Sequence, residues 1–441
     1  MTDTIFAPAT PIGGAIAILR ISGPGALDAL KAVFSAKSGE IIPRAIKFGR
    51  LTENGEAFDE AMACFFQAPA SYTGEDMAEL YIHGSQAVAR RALKLLSLLG
   101  LRPAEPGEFT KRAFLNGKLS LSQAEAVMDM INATTERGAK SALEQLEGSV
   151  GRAVGQAEED LLDLIAGVDA ALDYPEELEE DTISCAPAQI EEIINRLDTL
   201  IASGEKGKFL REGAKIAILG RPNAGKSSLF NALLGYERAI VTPVPGTTRD
   251  TLEETFSIEG VPVRLIDTAG LREAEDEAER IGVARAKGEG QRADALVLAF
   301  DAAAELTEED LALIKETENR PRVAALCKGD LPAVTEAADL QKRGIETIIV
   351  SSVTGEGLEA LLRALAAHLA PEGESALVTN ARHIDALLRA KNALASVDFS
   401  VGADCAAVLL HEALSALGEI TGRDVASDVI QRIFERFCVG K

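Results

Sequence analysis

The sequence predicts a multidomain α/β protein: an α+β unit first, then long helices, with a parallel-sheet domain inserted between two helical stretches. Three observations carry that expectation. Short β-like runs broken by Gly and Pro turns fill the first 118 residues, apolar residues then recur at three and four, and from residue 213 strand-like runs alternate with helices. A chain of 441 residues exceeds one ordinary core and divides into about two to four domains.

Residues 1–118 mix "GAIAILRIS", "AMACFFQAP" and "MAELYIHG" with the helical "AVARRALKLLSLLG", as an α+β domain does. Over 119–212, Leu143, Leu146, Val150, Ala153, Ala157, Leu161, Leu164 and Val168 recur at helical spacing, which predicts long amphipathic helices. "GEKGKFLREG" then resets the pattern. Residues 213–370 alternate "KIAILG", "VRLIDTAG", "ADALVLAFD", "RVAALCKGD" and "IETIIVSS" with helices, which calls for a parallel sheet covered on both faces. Residues 371–441 are helical again, so the economical arrangement inserts the α/β domain into a helical one whose halves meet in space. No internal repeat is visible.

Composition narrows the class. With 47% hydrophobic residues and 4% aromatics the chain reads as soluble and globular, and no apolar run reaches the roughly 18 residues of a membrane span. The cytoplasm is the expected compartment. Cys64, Cys185, Cys327, Cys405 and Cys438 are scattered and odd in number, against a disulfide framework or a zinc site. A net charge of −24 argues against broad nucleic-acid binding, so any RNA contact is local or shared with a partner. The acidic run over 157–181 reads as a solvated helix face followed by a loop.

The chemistry concentrates in the inserted domain. "GRPNAGKSS", Gly220 to Ser228, follows a strand and opens a helix, the context in which G-x-x-x-x-G-K-[ST] binds phosphate. Asn223, Ala224, Gly225, Lys226, Ser227 and Ser228 would surround the nucleotide phosphates, with Lys226 reaching the β and γ groups and Ser227 holding Mg²⁺. "DTAG" places Asp267, Thr268, Ala269 and Gly270 at the end of the next buried strand, where Asp267 can hold Mg²⁺ through water. In "PGTTRD", Thr248 is the candidate second Mg²⁺ ligand and Thr247 its neighbour.

"CKGD" and "SSV" address the base. Asp330 can accept from guanine N1 and N2, the stem of Lys328 can lie along the ring, and Ser351 and Ser352 supply the last turn. The usual pattern has Asn where Cys327 stands, so one amide contact is lost, worth about 0.5–1.5 kcal/mol. GTP is the expected nucleotide, bound more weakly. Leu271 follows "DTAG" where many switch GTPases carry a water-orienting Gln, so the water must be positioned from elsewhere.

These motifs, with "YTGEDMAEL", "PGEFTKRAFLNGKLSLSQAEAV", "DTAGLREAEDEAERIG" and the terminal "CVGK", resemble the MnmE (TrmE) family of bacterial tRNA-modification GTPases over almost the whole chain. The resemblance implies an N-terminal tetrahydrofolate-binding and dimerisation domain, a long-helix domain and an inserted Ras-like P-loop G domain. It implies a homodimer that acts with the FAD-dependent MnmG, as a heterotetramer, on the wobble uridine of certain tRNAs, with GTP, Mg²⁺, K⁺ and 5,10-methylene- or 5-formyl-tetrahydrofolate. Arg20, Glu79, Lys118 and Lys441 match folate-contacting positions. Asn223, Thr242, Val244 and Thr247 match ligands of a K⁺ ion across which G domains pair, Glu279 matches a water-orienting glutamate, and Arg249, Asp250 and Arg272 match residues that secure the switches. The family also carries the tail to the folate site, with Cys438 close to the reacting carbon.

Other readings stay open. A ribosome-assembly or signalling switch shares every G-domain motif but needs an RNA-binding module, where the flanks offer an acidic helical scaffold. A dynamin-like GTPase is disfavoured by the short length and the absence of a membrane-binding helix. "CVGK" is a poor prenylation box because Gly440 replaces an aliphatic residue and Lys441 is charged, and Cys438 can equally be a chance surface thiol.

Overall fold

A computed structural model describes residues 3–173, 175–240, 255–266, 293–369 and 378–441. The chain forms two compact units, one built from Met1–Met128, Gln145–Ile183 and Val397–Lys441, the other from Asp129–Glu144 and Ser184–Ser396.

The first unit contains a seven-stranded sheet of β1 (Ile5–Pro8), β2 (Ile16–Ser22), β3 (Phe34–Ala36), β4 (Lys47–Glu53), β5 (Glu56–Phe66), β6 (Met77–His83) and β7 (Arg102–Pro103). Their order is β3-β4-β5-β6-β2-β1-β7, antiparallel except where β7 joins β1. Strand alternation sends Ala17, Leu19 and Ile21 into a core with the helices Ala26–Val33 and Gln86–Leu98. Ser85 caps the second helix by accepting from the Val88 N–H. Arg20 and Glu79 therefore fall on the opposite parity, directly paired across β2 and β6.

The helix Glu108–Leu115 is tied down by charge. Arg112, with a fully buried side chain, pairs with Asp3 at 2.9 Å, Glu75 at 3.1 Å and Glu108 at 2.9 Å, while Arg102 joins Asp3 and Glu108 at 2.8 and 2.6 Å. A buried guanidinium is tolerated only with such partners.

The long helix Ser149–Asp173 packs along Ala403–Thr421. Val150, Val154, Ala157, Leu161, Leu164 and Val168 line its buried side. The apolar stripe expected from Leu143 to Val168 is broken. Gly148, at φ 86°, separates the helix Glu136–Leu146 from Ser149–Asp173, leaving Leu143 47% exposed and Ala153 half-buried.

The second unit holds a six-stranded sheet of β8 (Ala214–Leu219), β9 (Thr255–Ile258), β10 (Val261–Ile266), β11 (Ala295–Asp301), β12 (Arg322–Cys327) and β13 (Thr347–Ile349). The order is β13-β12-β11-β8-β10-β9, parallel throughout except for β9 against β10. The apolar run of β11 serves two cores: Val297 joins the helices Lys226–Ile240 and Leu358–Leu369, while Leu296, Leu298 and Phe300 join Glu308–Glu316. Segments before and after this sheet meet within the unit. Lys391 Nζ lies 2.5 Å from Asp198, and the Val378 N–H donates to Ser203 Oγ at 3.2 Å. Among the described residues no helix is long and apolar enough to cross a membrane.

Candidate functional site

At the end of β8 the backbone turns through Gly220–Gly225 and enters the helix at Lys226. Gly225 has φ 98°, and Asn223, at the exposed tip, has φ 62°. Lys226 Nζ donates to the Arg221 carbonyl at 2.7 Å, closing the loop, while the Ser227 and Ser228 side chains are exposed at the helix start. Ala224 is buried beneath them. First-turn N–H groups and an ammonium converging here make an anion site.

The residues that the sequence assigns to the base come from two loops, one after β12 and one after β13. Ser351 Oγ accepts from the Val353 and Thr354 N–H groups at 3.3 and 3.2 Å and donates to Asp330 Oδ1 at 2.7 Å. Those two donors fix the hydroxyl, so its proton points at the carboxylate. Ser352 is half-buried in the same turn. Lys328, at φ 62°, pairs through Nζ with Asp301 Oδ2 at 2.6 Å.

Cys327 stands where the sequence leads one to expect a missing amide contact. Its thiol is 1% exposed, packs under Gly225 and donates to the Ala325 carbonyl at 3.6 Å. It supports the phosphate loop from below and presents nothing to a base. Burial, reinforced by Asp301, pushes the thiol up to about 12. Thr242, Val244, Thr247, Thr248, Arg249, Asp250, Asp267, Thr268, Ala269, Gly270, Leu271, Arg272 and Glu279 lie outside the described residues.

The first unit gathers a second cluster. Arg20 binds Glu79 Oε1 through Nε at 3.0 Å and through its terminal nitrogen at 2.9 Å. The guanidinium stacks 5.4 Å from the Tyr72 ring and 5.7 Å from Phe109. Tyr81 donates to Glu79 Oε2 at 2.8 Å, so both carboxylate oxygens are engaged. Burial and that bond to Glu79 push the Tyr81 phenol up to about 12. The sequence alone does not single out Tyr81, although its i+2 position places it on the Glu79 face of the strand.

The C-terminal tail completes this cluster. Phe434 and Phe437 pack with Leu121, Ala124 and Phe114, and the Gly107 N–H donates to the Cys438 carbonyl at 3.4 Å. Gly440 turns at φ 98° against the Pro8 carbonyl, where any β-carbon would collide, and its own carbonyl accepts from Arg20 at 3.4 Å. Lys441 is thereby brought into electrostatic reach of Arg20, Glu79 and Cys438. Burial lowers its ammonium, as does Arg20, against the opposing pull of Glu79 and Cys438. The Cys438 side chain is exposed. Lys118 is held elsewhere on the neighbouring loop: Nζ donates to the Pro69 carbonyl at 3.2 Å and its stem covers Gly74.

Comparison with known proteins covers the whole chain. Residues 4–118 match the family described as "GTP-binding protein TrmE N-terminus", and residues 121–438 the "MnmE helical domain". The "tRNA modification GTPase MnmE" of Aquifex aeolicus is 44% identical over 454 residues, spanning 100% of both chains. The proteins of the same description from Alkaliphilus metalliredigens and Thermus thermophilus are 42% and 43% identical over 100% of this chain and 100% and 99% of theirs.

Proposed function

The chain belongs to the MnmE (TrmE) family of tRNA modification GTPases, and on that premise we propose that it works with MnmG, an FAD-dependent partner, to add a carboxymethylaminomethyl-type group at C5 of the wobble uridine of certain tRNAs. As a family member it is a GTP-hydrolysing enzyme of tRNA modification. In the proposed assembly it is a homodimer that joins MnmG in a heterotetramer.

One observation supports a folate-dependent reaction most directly: Gly440 is locked against Pro8 and its carbonyl accepts from Arg20, which ties the residue before Lys441 to the Arg20–Glu79 pair. A guanidinium and an oriented carboxylate on one sheet face, with a lysine on the tail docked beside them, fit a tetrahydrofolate, which carries N–H donors at one end and carboxylates at the other. Such a cofactor supplies a one-carbon unit when bound. Glu79 would accept from its ring N–H groups, Arg20 and Lys441 would orient it, and Cys438 would stand near the transferred carbon. Lys118 would contact it from the loop at Pro69.

In the G domain Lys226 would exchange the Arg221 carbonyl for the β and γ phosphates, and Asp330, held by Ser351, would read guanine. The exposed Asn223 and Ser227 side chains fit cation ligation at the loop, with Thr248 completing the Mg²⁺ set and Thr242, Val244 and Thr247 the K⁺ set. These ions offset phosphate charge when bound. Glu279 would orient the attacking water, and Arg249, Asp250 and Arg272 would secure the switches. Mass spectrometry of wobble uridines from cells lacking the protein tests the reading. Loss of the modification is expected, and unchanged tRNA would overturn it.

A further inference from the structure

We propose that Asp301 is a positioning residue for guanine-nucleotide binding, holding the Lys328 ammonium so that the lysine stem stands as a fixed wall for the purine. The inference rests on the reading of Lys328 as a base-side contact. Asp301 belongs to none of the nucleotide motifs, yet it ends β11 level with the end of β12, the strand that leads into "CKGD".

The geometry is over-determined. Asp301 closes β11 and pairs in register with Cys327, and the Ala302 N–H donates to the Cys327 carbonyl at 2.9 Å. The two backbones are thus locked one residue before Lys328. Asp301 Oδ1 accepts the Ala303 N–H at 2.9 Å, which orients the carboxylate and leaves Oδ2 for Lys328 Nζ at 2.6 Å. The side chains are 13% and 37% exposed, so this pair is more enclosed than an ordinary rim ion pair. Burial alone would raise the Asp301 carboxyl, but the bonds from Lys328 and Ala303 hold it below its usual range, so the carboxylate stays charged at neutral pH.

Lys328 itself needs such a partner. Its φ of 62° is a conformation that residues with side chains seldom adopt, and backbone outliers of this kind persist where surrounding contacts impose them. A lysine stem is otherwise flexible and its ammonium is a point charge free to seek other anions. Pinning Nζ to Asp301 draws the stem between two fixed ends and keeps the ammonium from following the nucleotide phosphates. A purine then meets apolar surface that is ordered before it arrives, which reduces the side-chain ordering that binding must supply.

The test is a double-mutant cycle on the full-length protein with fluorescently labelled GDP as the probe. Asp301→Asn keeps the size and the Ala303 bond and removes the charge, and it is expected to raise Kd by about three- to tenfold. Lys328→Ala is expected to weaken binding at least as much, and adding Asp301→Asn to it should change nothing further. Asp301→Glu should recover part of the loss. Unchanged binding in Asp301→Asn overturns the inference, as does a loss that persists at full size in the Lys328→Ala background, because Asp301 would then act through something else. Unchanged binding in Lys328→Ala instead overturns the reading of Lys328 itself.

Discussion

Cys327 packs directly beneath Gly225 of the phosphate loop: a β-carbon at Gly225 would lie 3.0 Å from Cys327 Cβ and 3.4 Å from its sulfur. Strand β12 is thereby wedged against the loop that would cradle phosphate, and the side chain at 327 sets the height of that loop.

Cys327→Asn is expected to tighten guanine-nucleotide binding by up to about tenfold. The gain comes from the loop, since an amide here can bond the Ala325 carbonyl and the backbone around Gly225, rather than from a base contact. GDP and guanosine affinities separate the two, because a loop effect should favour the phosphorylated ligand. An unchanged GDP dissociation constant would show that thiol packing already suffices.

Glu279→Ala is expected to reduce GTP turnover by orders of magnitude with near-normal GTP affinity, if the residue orients water as proposed, since Leu271 offers no substitute. The wild-type rate should also differ markedly between K⁺ and Na⁺ buffers of equal ionic strength. Weakened binding with retained turnover would assign Glu279 to the fold, and equal rates in the two salts would count against G-domain pairing across an ion.

Glu79→Gln should weaken tetrahydrofolate binding about ten- to a hundredfold, because a charge-assisted acceptor is lost and Arg20 is left without its carboxylate partner. Tyr81→Phe frees one carboxylate oxygen and should have a smaller effect. GTPase activity should be untouched in both. Calorimetric titration with 5-formyl-tetrahydrofolate gives the answer, and wild-type affinity in Glu79→Gln would remove this residue from the site.

Acid should unfold the N-terminal α+β region through its ion cluster. The hydrogen bond from Arg102 leads in lowering Asp3, and Glu108 is lowered by Arg102 and Arg112 despite the opposing effect of burial. Both carboxyls fall below their unfolded values, so their stabilisation is complete above about pH 5 and is lost as pH falls through the depressed values. Glu108→Gln should therefore lower the melting temperature at pH 7 and flatten its fall between about pH 5 and pH 2. Parallel melting curves for the two proteins across that range would contradict the assignment.

Cys438→Ser is expected to leave GTP hydrolysis intact and to abolish tRNA modification, as two separate sites require. The exposed thiol carries no packing, and Gly440 and Phe437 keep the tail in place. Wild-type modification in this variant would make Cys438 a surface thiol, and lost GTPase activity would make the tail a structural element.

The sequence by itself determined the nucleotide motifs and the alternation of strand and helix, because each rests on contiguous residues: a strand, a glycine-bearing turn and a helix start fit within the stretch from Ala214 to Ser228. It also gave away the amphipathic stripes, though not the break at Gly148, since a repeat at three and four is blind to a backbone that turns between helices. Tertiary structure decided the rest. Arg20 meets the carbonyl of Gly440 across 420 positions of chain, and Arg20 and Asp301 acquire Glu79 and Lys328 as partners only through strand register. Cys327 lies under Gly225 instead of beside a base because parallel packing of β12 turns its side chain into the core. Residue spacing records local geometry, whereas cross-strand pairs and tail docking depend on which buried surfaces the folded chain brings together.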